Sequence, residues 1–166
     1  MDIFDFAMDL EKEGEKYYRQ IAAKSNNTGY KNIFNMLADD EVKHFNVFRD
    51  MKEEHGVDFT DTKVLDAARK TFVDFVREGD PFKKEGEQKE LYEKALDIEK
   101  RSRDFYLEKA EEVADDSKKK ILKKIAGEEE KHFKLIDRLL GFIKEPETFL
   151  ENAEFFQKDD YWMLVS

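Results

Sequence analysis

Apolar residues recur every three or four positions along four long stretches of the chain, and this spacing predicts four amphipathic helices. The apolar stripe of the first stretch contains Phe4, Ala7, Met8, Glu11, Tyr18 and Ile21 or Ala22. The stripe of the second contains Ile33, Phe34, Leu37, Glu41, His44, Phe48 and Met51, and it stops near Gly56. Between them, residues 26–29 (Asn-Asn-Thr-Gly) interrupt the pattern and offer N-caps for the second helix. We therefore predict a helical hairpin in the first third of the chain.

The second half of the chain repeats the first at a distance of 88 residues. Residues 4–52 align without a gap with residues 92–140, and 13 of these 49 positions are identical. The repeat predicts a second hairpin, with helices from about Lys84 to Ala114 and from Asp115 to Ile143. Two hairpins with facing apolar stripes make a four-helix bundle, so the predicted fold class is all-α.

Residues 56–83 connect the two repeat halves, which we place at about 2–55 and 84–143. The apolar spacing of residues 64–76 predicts a further helix inside this connection. The connection is longer than a tight hairpin needs, so it can run the length of the bundle. After the bundle domain, residues 1–145, comes an aromatic and acidic segment, 146–166. We predict that it forms a short helix and an extended arm that covers this bundle or a partner subunit, and we expect a homodimer.

Composition adds constraints on the partners and the compartment. The formal net charge is −10 with no cluster of Lys or Arg, which argues against a nucleic-acid partner. The acidic N-terminus lacks the basic and apolar segments of a signal peptide, and no stretch approaches the roughly 20 apolar residues of a membrane span. We therefore expect a cytoplasmic protein without a membrane partner. Cysteine is absent, so any bound metal must be held by carboxylate and imidazole groups.

Charged residues interrupt the apolar stripes at equivalent positions of the two repeats. The second helix of each repeat carries a Glu-x-x-His motif, and positions i and i+3 of a helix share one face. The first helix of each repeat carries a single Glu on its apolar stripe, one turn after an Ala. Because four carboxylates in apolar layers would be very costly without compensation, we predict that two divalent cations neutralise them. The predicted metal ligands are Glu11, Glu41, His44, Glu99, Glu129 and His132.

One Glu from each of two helices, with Glu-x-x-His from each of the other two, is the ligand pattern of di-iron and di-manganese carboxylate bundles. Oxygen and imidazole ligands suit iron or manganese, and both stay open at this point, whereas zinc is less natural for a redox role.

Five further residues near these positions have open or secondary interpretations. Tyr18 and Tyr106 each follow the Glu on the apolar stripe of their helix by seven residues. Each is either a core tyrosine or a hydroxyl that hydrogen-bonds a ligand carboxylate or a bound oxygen species. Asp40 and Glu128 precede the two ligand histidines by four residues and could orient the imidazoles, but we place both on the surface. His55 has no counterpart in the repeat, and we interpret it as a partner of the helix C-terminal dipole.

Together these residues resemble the ferritin-like superfamily, and most closely its rubrerythrin branch, over about residues 2–143. The resemblance is carried by Glu11 with Tyr18, residues 40–44 (Asp-Glu-Val-Lys-His), Glu99 with Tyr106, and residues 128–132 (Glu-Glu-Glu-Lys-His). It implies a ferritin-like four-helix bundle with an oxo- or hydroxo-bridged di-iron centre, so we expect two Fe ions, with Mn as the alternative. Glu41 and Glu129 would bridge or nearly bridge the two ions, and Glu11 and Glu99 would stand at opposite ends.

Two features depart from the rubrerythrin pattern. Rubrerythrins typically carry a C-terminal rubredoxin domain whose four Cys serve electron delivery, whereas these 166 residues contain no Cys. Rubrerythrins also carry an additional Glu one turn after the Glu of the third helix of the bundle. Here that position is Ser102 and its repeat equivalent is Gly14, so the predicted set remains at six ligands.

The resemblance implies an oxidoreductase that reduces hydrogen peroxide or oxygen by two electrons. An external electron-donor protein such as a rubredoxin would return the electrons. Two alternatives stay open at this point. One is a ferroxidase that stores iron, as the bacterioferritin branch does, which requires a large hollow assembly. The other is a metal-binding protein without catalysis, in which the metals have a structural or signalling role.

Overall fold

The computed structural model describes residues 2–78 and 88–145. They form α1 (Ile3–Lys24), α2 (Thr28–Lys52), α3 (Val64–Glu78), α4 (Lys89–Glu112) and α5 (Asp116–Lys144). The predicted all-α fold class is confirmed, and so is the helix inside the connection. The predicted start of the second hairpin at Lys84 and the C-terminal arm, 146–166, lie outside the described residues. No helix in the described part of the chain is both long and apolar enough to cross a membrane.

The helix starts follow from short-range hydrogen bonds of polar side chains. The carboxylate of Asp2 accepts the N–H of Phe4 at 2.7 Å and begins α1. Asn27 begins α2 and Asp115 begins α5, each by accepting the N–H of the residue three positions later. Asn27 and Asp115 are equivalent in the 88-residue repeat, so both halves keep a side-chain cap at the same place.

Two clusters of apolar side chains show how the helices are arranged. One cluster contains the C-terminal parts of α1 and α5 with the N-terminal parts of α2 and α4, and the other contains the opposite ends of the same helices. Helices α1 and α5 therefore run in one direction, and α2 and α4 run in the other. The chain leaves α2 at one end of the bundle and enters α4 at the other, so the connection does span the bundle.

Helix α3 belongs to this connection and packs against α2. Its residues Val64 and Ala68 are fully buried in the cluster at the α2 N-terminal end. Between the two apolar clusters lies the layer that contains the Glu-x-x-His motifs and the single glutamates. The up-down-down-up order thus places α2 and α5 on either side of one polar layer in the core.

Candidate metal centre

All six predicted ligands come together in the middle of the bundle, with at most 1% of each residue exposed to solvent. Their ligand atoms form two overlapping groups, and within each group the atoms lie within 4.8 Å of one another. One group contains Glu11, Glu41, His44 and Glu129, and the other contains Glu41, Glu99, Glu129 and His132. Because Glu41 and Glu129 belong to both groups, the geometry can hold two ions that share two carboxylates.

The Nδ1 atoms of the two histidines point into these groups. Nδ1 of His44 lies 2.8 Å from Glu129 and 3.3 Å from Glu11. Nδ1 of His132 lies 3.2 Å from Glu41 and 3.5 Å from the carboxylate of Glu99. These contacts are within ion-pair distance but do not have hydrogen-bond geometry.

Most of the buried oxygens in the centre have no hydrogen-bond donor in the described residues. They are Glu11 Oε2, Glu41 Oε1 and both carboxylate oxygens of Glu99 and Glu129. Ionised carboxylates only accept hydrogen bonds, so these oxygens cannot satisfy one another without protons or cations. Buried polar groups without partners are costly, and cations would satisfy all of them at once. The residues present therefore fit a pair of divalent metal ions.

The electrostatics of the carboxylates agree with this interpretation. Burial, reinforced by the charge of Glu41, raises the pKa of Glu11 to about 8. Burial and the charge of Glu129 raise the pKa of Glu41. Burial, with the charges of Glu99 and Glu11, raises the pKa of Glu129 well above its ordinary value. Without metal, the folded protein thus retains protons at a site that ions would otherwise neutralise.

Asp40 and Glu128 lie beside the imidazoles, so our placement of these residues on the surface is wrong. Glu128 is 3% exposed, and its Oε2 lies 2.6 Å from Nε2 of His44. Asp40 Oδ2 lies 3.0 Å from Nε2 of His132. Each carboxylate reaches the histidine of the opposite helix, whereas the sequence spacing suggested the histidine of its own helix. The contacts form because α2 and α5 face each other across the centre.

These pairs also shift the pKa values of both partners. Burial opposes ionisation of Asp40, but the hydrogen bond and charge of His132 outweigh it and lower the Asp40 pKa to about 2. The pKa of Glu128 is lowered in the same way, against burial, by His44. Burial would lower the pKa of each histidine, but the surrounding carboxylates raise both values well above the ordinary one. The Nε2 side of each imidazole therefore holds a proton, which leaves Nδ1 to face the metal groups.

The two tyrosines differ from each other despite their equivalence in the repeat. The hydroxyl of Tyr106 donates a hydrogen bond to Oε1 of Glu11 on the facing helix. Burial and the charge of Glu11 raise the pKa of Tyr106 well above its ordinary value, so the hydroxyl keeps its proton. The hydroxyl of Tyr18 is buried without a hydrogen-bond partner among the described residues, and its ring packs edge-on against His132. Of these two hydroxyls, only that of Tyr106 hydrogen-bonds a predicted ligand.

Gly14 provides space for one of the shared carboxylates. A Cβ atom at this position would lie 2.5 Å from Oε2 and 3.2 Å from Cδ of Glu41. A side chain on residue 14 is therefore incompatible with the observed position of the Glu41 carboxylate. The equivalent residue of the second repeat, Ser102, is 1% exposed. Sequence analysis identified Gly14 as the equivalent of Ser102 but not as a contact of Glu41.

A small cavity lies between α1 and α2 beside the centre. Its volume is about 130 Å³, and it is lined by Glu11, Lys12, Glu15, Glu41, Val42 and Phe45. Lys12 is exposed, and its ammonium lies 5.0 Å from the centre of the Phe45 ring at the outer end of the cavity.

His55 lies away from the centre, in a surface group with Asp50 and Glu53 at the end of α2.

Comparison with known proteins identifies the family of the chain. Residues 2–140 match the family model described as Rubrerythrin. Searches of curated proteins and of solved structures gave no significant match. The family match covers most of the chain, including both Glu-x-x-His motifs and both single glutamates. The chain therefore belongs to the rubrerythrin family, a family of di-iron carboxylate proteins.

Proposed function

We propose that the protein binds two iron ions and uses them to reduce hydrogen peroxide or oxygen. An external electron-donor protein such as a rubredoxin would supply the electrons. The proposed ligands are Glu11, Glu41, His44, Glu99, Glu129 and His132. The observation that carries the proposal is the overlap of two buried four-residue groups in two shared carboxylates. When bound, a pair of ferrous ions can supply the two electrons that convert hydrogen peroxide and two protons into two water molecules.

The chain's own residues prepare the centre for this reaction. Asp40 and Glu128 hold the Nε2 protons of the imidazoles, so each Nδ1 lone pair is available as a ligand. The hydroxyl of Tyr106 orients Glu11 and keeps one of its oxygens engaged. The apolar layers on both sides exclude bulk water, which strengthens every charge interaction inside the centre.

The cavity beside Glu11 and Glu41 provides an access route for a small oxidant. A water molecule takes up about 30 Å³ of liquid volume, so about 130 Å³ accommodates a molecule as small as hydrogen peroxide or oxygen.

Rapid mixing of the ferrous-loaded protein with hydrogen peroxide tests the proposal. We expect peroxide loss at least about tenfold faster than with the same concentration of free ferrous iron, which corresponds to about 1.4 kcal/mol of barrier. Glu41→Ala should abolish the difference, and Glu108→Ala, on the exposed side of α4, should retain it. If the parent protein consumed peroxide no faster than free iron does, the proposal would be wrong. If it instead accumulated many ferric ions per chain in a large shell, iron storage would replace it.

Gly14→Ala should weaken metal binding without weakening the fold. The new methyl group meets the flexible end of Glu41, so the carboxylate moves and the helix backbone does not. We expect the affinity for the ions to fall about 10-fold or more. The free energy of unfolding of the metal-free protein should stay the same or rise by up to about 1 kcal/mol, because Ala favours helix more than Gly does. Titration with Co²⁺ and thermal unfolding measure the two quantities.

Gly127→Ala is the matched control for this experiment. Gly127 lies inside α5, and nothing lies within 4 Å of the Cβ that Ala would add. This variant should gain the same helix propensity and bind Co²⁺ as the parent does. Parent-like Co²⁺ affinity in Gly14→Ala would show that the space beside Glu41 has no role in metal binding.

A further inference from the structure

Thr62 lies in the connection between α2 and α3 and contacts both carboxylates that hold the imidazoles. Its main-chain N–H donates to Oε1 of Glu128 at 2.7 Å, and its hydroxyl donates to Oδ2 of Asp40. The same hydroxyl accepts the N–H of Val64 at 3.2 Å. A hydroxyl has one proton and an ionised carboxylate only accepts, so the direction of these bonds is determined.

From the two carboxylates the contacts continue to the two imidazoles. Oδ2 of Asp40, which accepts the Thr62 hydroxyl, also lies 3.0 Å from Nε2 of His132. Glu128 accepts the Thr62 N–H through one oxygen and lies 2.6 Å from Nε2 of His44 through the other. His44 and His132 belong to different groups of the metal centre. One residue outside the repeated segments thus joins the outer sides of both imidazoles.

Phe59 of the same connection and Lys43 of α2 lie on the same side of the centre. The ring of Phe59 stacks parallel to His44, with ring centres 6.4 Å apart and an angle of 3° between the planes. Nζ of Lys43 lies 3.4 Å from Asp40 and 3.5 Å from Glu128. The ammonium supplies charge to both carboxylates, whereas the bonds from Thr62 fix where their oxygens lie.

We propose that Thr62 is a positioning residue for both histidines and acts through two separate hydrogen bonds. Its hydroxyl positions His132 through Asp40, and its main-chain N–H positions His44 through Glu128. The inference rests on the proposed function in one respect, namely that Nδ1 of each imidazole is a metal ligand. Loss of a group that orients a metal-bound imidazole typically lowers metal affinity 10- to 100-fold.

Thr62→Val separates the two bonds, because it removes the hydroxyl and keeps the main-chain N–H. In proton–nitrogen NMR spectra of the metal-free protein, we expect the Nε2 proton of His132 to exchange with water about 10-fold faster or more than in the parent. The Nε2 proton of His44 should keep its protection. Thr62→Ser restores a hydroxyl and should restore the parent spectrum. Thr60→Val makes the same change in atoms at an exposed position two residues away and should alter neither signal.

Titration with Co²⁺ provides the second measurement. In Thr62→Val, the affinity of one of the two ions should fall about 10-fold or more, while that of the other changes less than about threefold. If Val at position 62 altered neither histidine or both equally, or if the Ser variant behaved as the Val variant does, the assignment would be overturned. If the parent bound no Co²⁺, the proposed function would fail, and the spectra of the metal-free protein would still decide the role of Thr62.

Discussion

Glu129→Gln should abolish binding of both metal ions and, at the same time, stabilise the metal-free protein. Glu129 belongs to both groups of the centre, so its loss affects both ions. We expect each affinity to fall by at least about 100-fold, since removal of a residue that only orients a ligand already costs 10- to 100-fold. Co²⁺ titration and iron analysis of the purified variant measure this loss.

The gain in stability follows from the charges that the fold buries without metal. The centre and its two orienting residues contain six carboxylates and only two imidazoles, so the metal-free fold must either bury excess negative charge or hold protons on the carboxylates. Glutamine keeps the size of Glu129 and needs neither a buried charge nor a proton taken up from solvent, and these are the two costs that the raised pKa of Glu129 reflects. We expect the free energy of unfolding at pH 8 to rise by about 1 to 3 kcal/mol in the metal-free protein.

Glu130→Gln is the control, because Glu130 is the next residue of α5 and pairs with Arg103 near the surface. This variant should bind both ions and change the free energy of unfolding by less than about 1 kcal/mol. If Glu129→Gln instead lost both metal binding and stability, Glu129 would stabilise the metal-free fold. The prediction that its burial costs stability would then be wrong.

The repeat predicts much of this fold because both halves place a charged residue at the same position of an otherwise apolar stripe. A Glu at position 11 or 99 is unfavourable in an apolar stripe, so its presence in both halves indicates a shared use of that layer. The Glu-x-x-His motifs add the same information for α2 and α5. Periodicity gives the helices and their faces, and the helix-capping positions 27 and 115 recur with them. The sequence alone therefore predicts that the six ligand residues lie in one layer of the bundle.

The sequence did not predict the contacts that side chains make between helices. Asp40 and Glu128 immediately precede core residues, and a shift of one residue turns a helix face by about 100°, so each lies beside the core stripe. Whether that flank meets water or another helix depends on the tertiary arrangement. Thr62 lies outside the repeat, so no internal comparison could identify it. Gly14 gave a signal only as the equivalent of Ser102, because a glycine does not reveal which neighbour requires its space.

Metal should reverse the dependence of stability on pH between about pH 5 and pH 8. In the metal-free fold, the pKa of Glu11 is raised from 4.5 to about 8, and the pKa values of Glu41 and Glu129 are raised too. The folded protein then holds protons that the unfolded chain releases above its ordinary carboxyl pKa. Stability is fully present below that value and is lost as pH rises, by about 1.4 kcal/mol per pH unit for each such proton.

The raised pKa values of His44 and His132 act in the same direction above about pH 6.5. The lowered pKa values of Asp40 and Glu128 act in the opposite direction, but their contribution is lost only as pH falls below the ordinary carboxyl pKa values of 3.8 and 4.5, which lie below this window. Metal-free protein should therefore be most stable near pH 4 to 5 and weaken steadily toward pH 8.

Ions bound at the centre must displace the protons on the ligands, so their affinity rises as pH rises. Because ions that bind only the folded state stabilise it by mass action, stability in excess Mn²⁺ should increase from pH 5 to pH 8. Denaturant unfolding at each pH, with chelator and with Mn²⁺, measures both slopes. In Glu129→Gln the two curves should coincide, because its centre binds no metal at these concentrations. Parallel slopes in the parent protein would mean that Mn²⁺ binds away from the buried carboxylates, and the centre would then be a polar layer without metal.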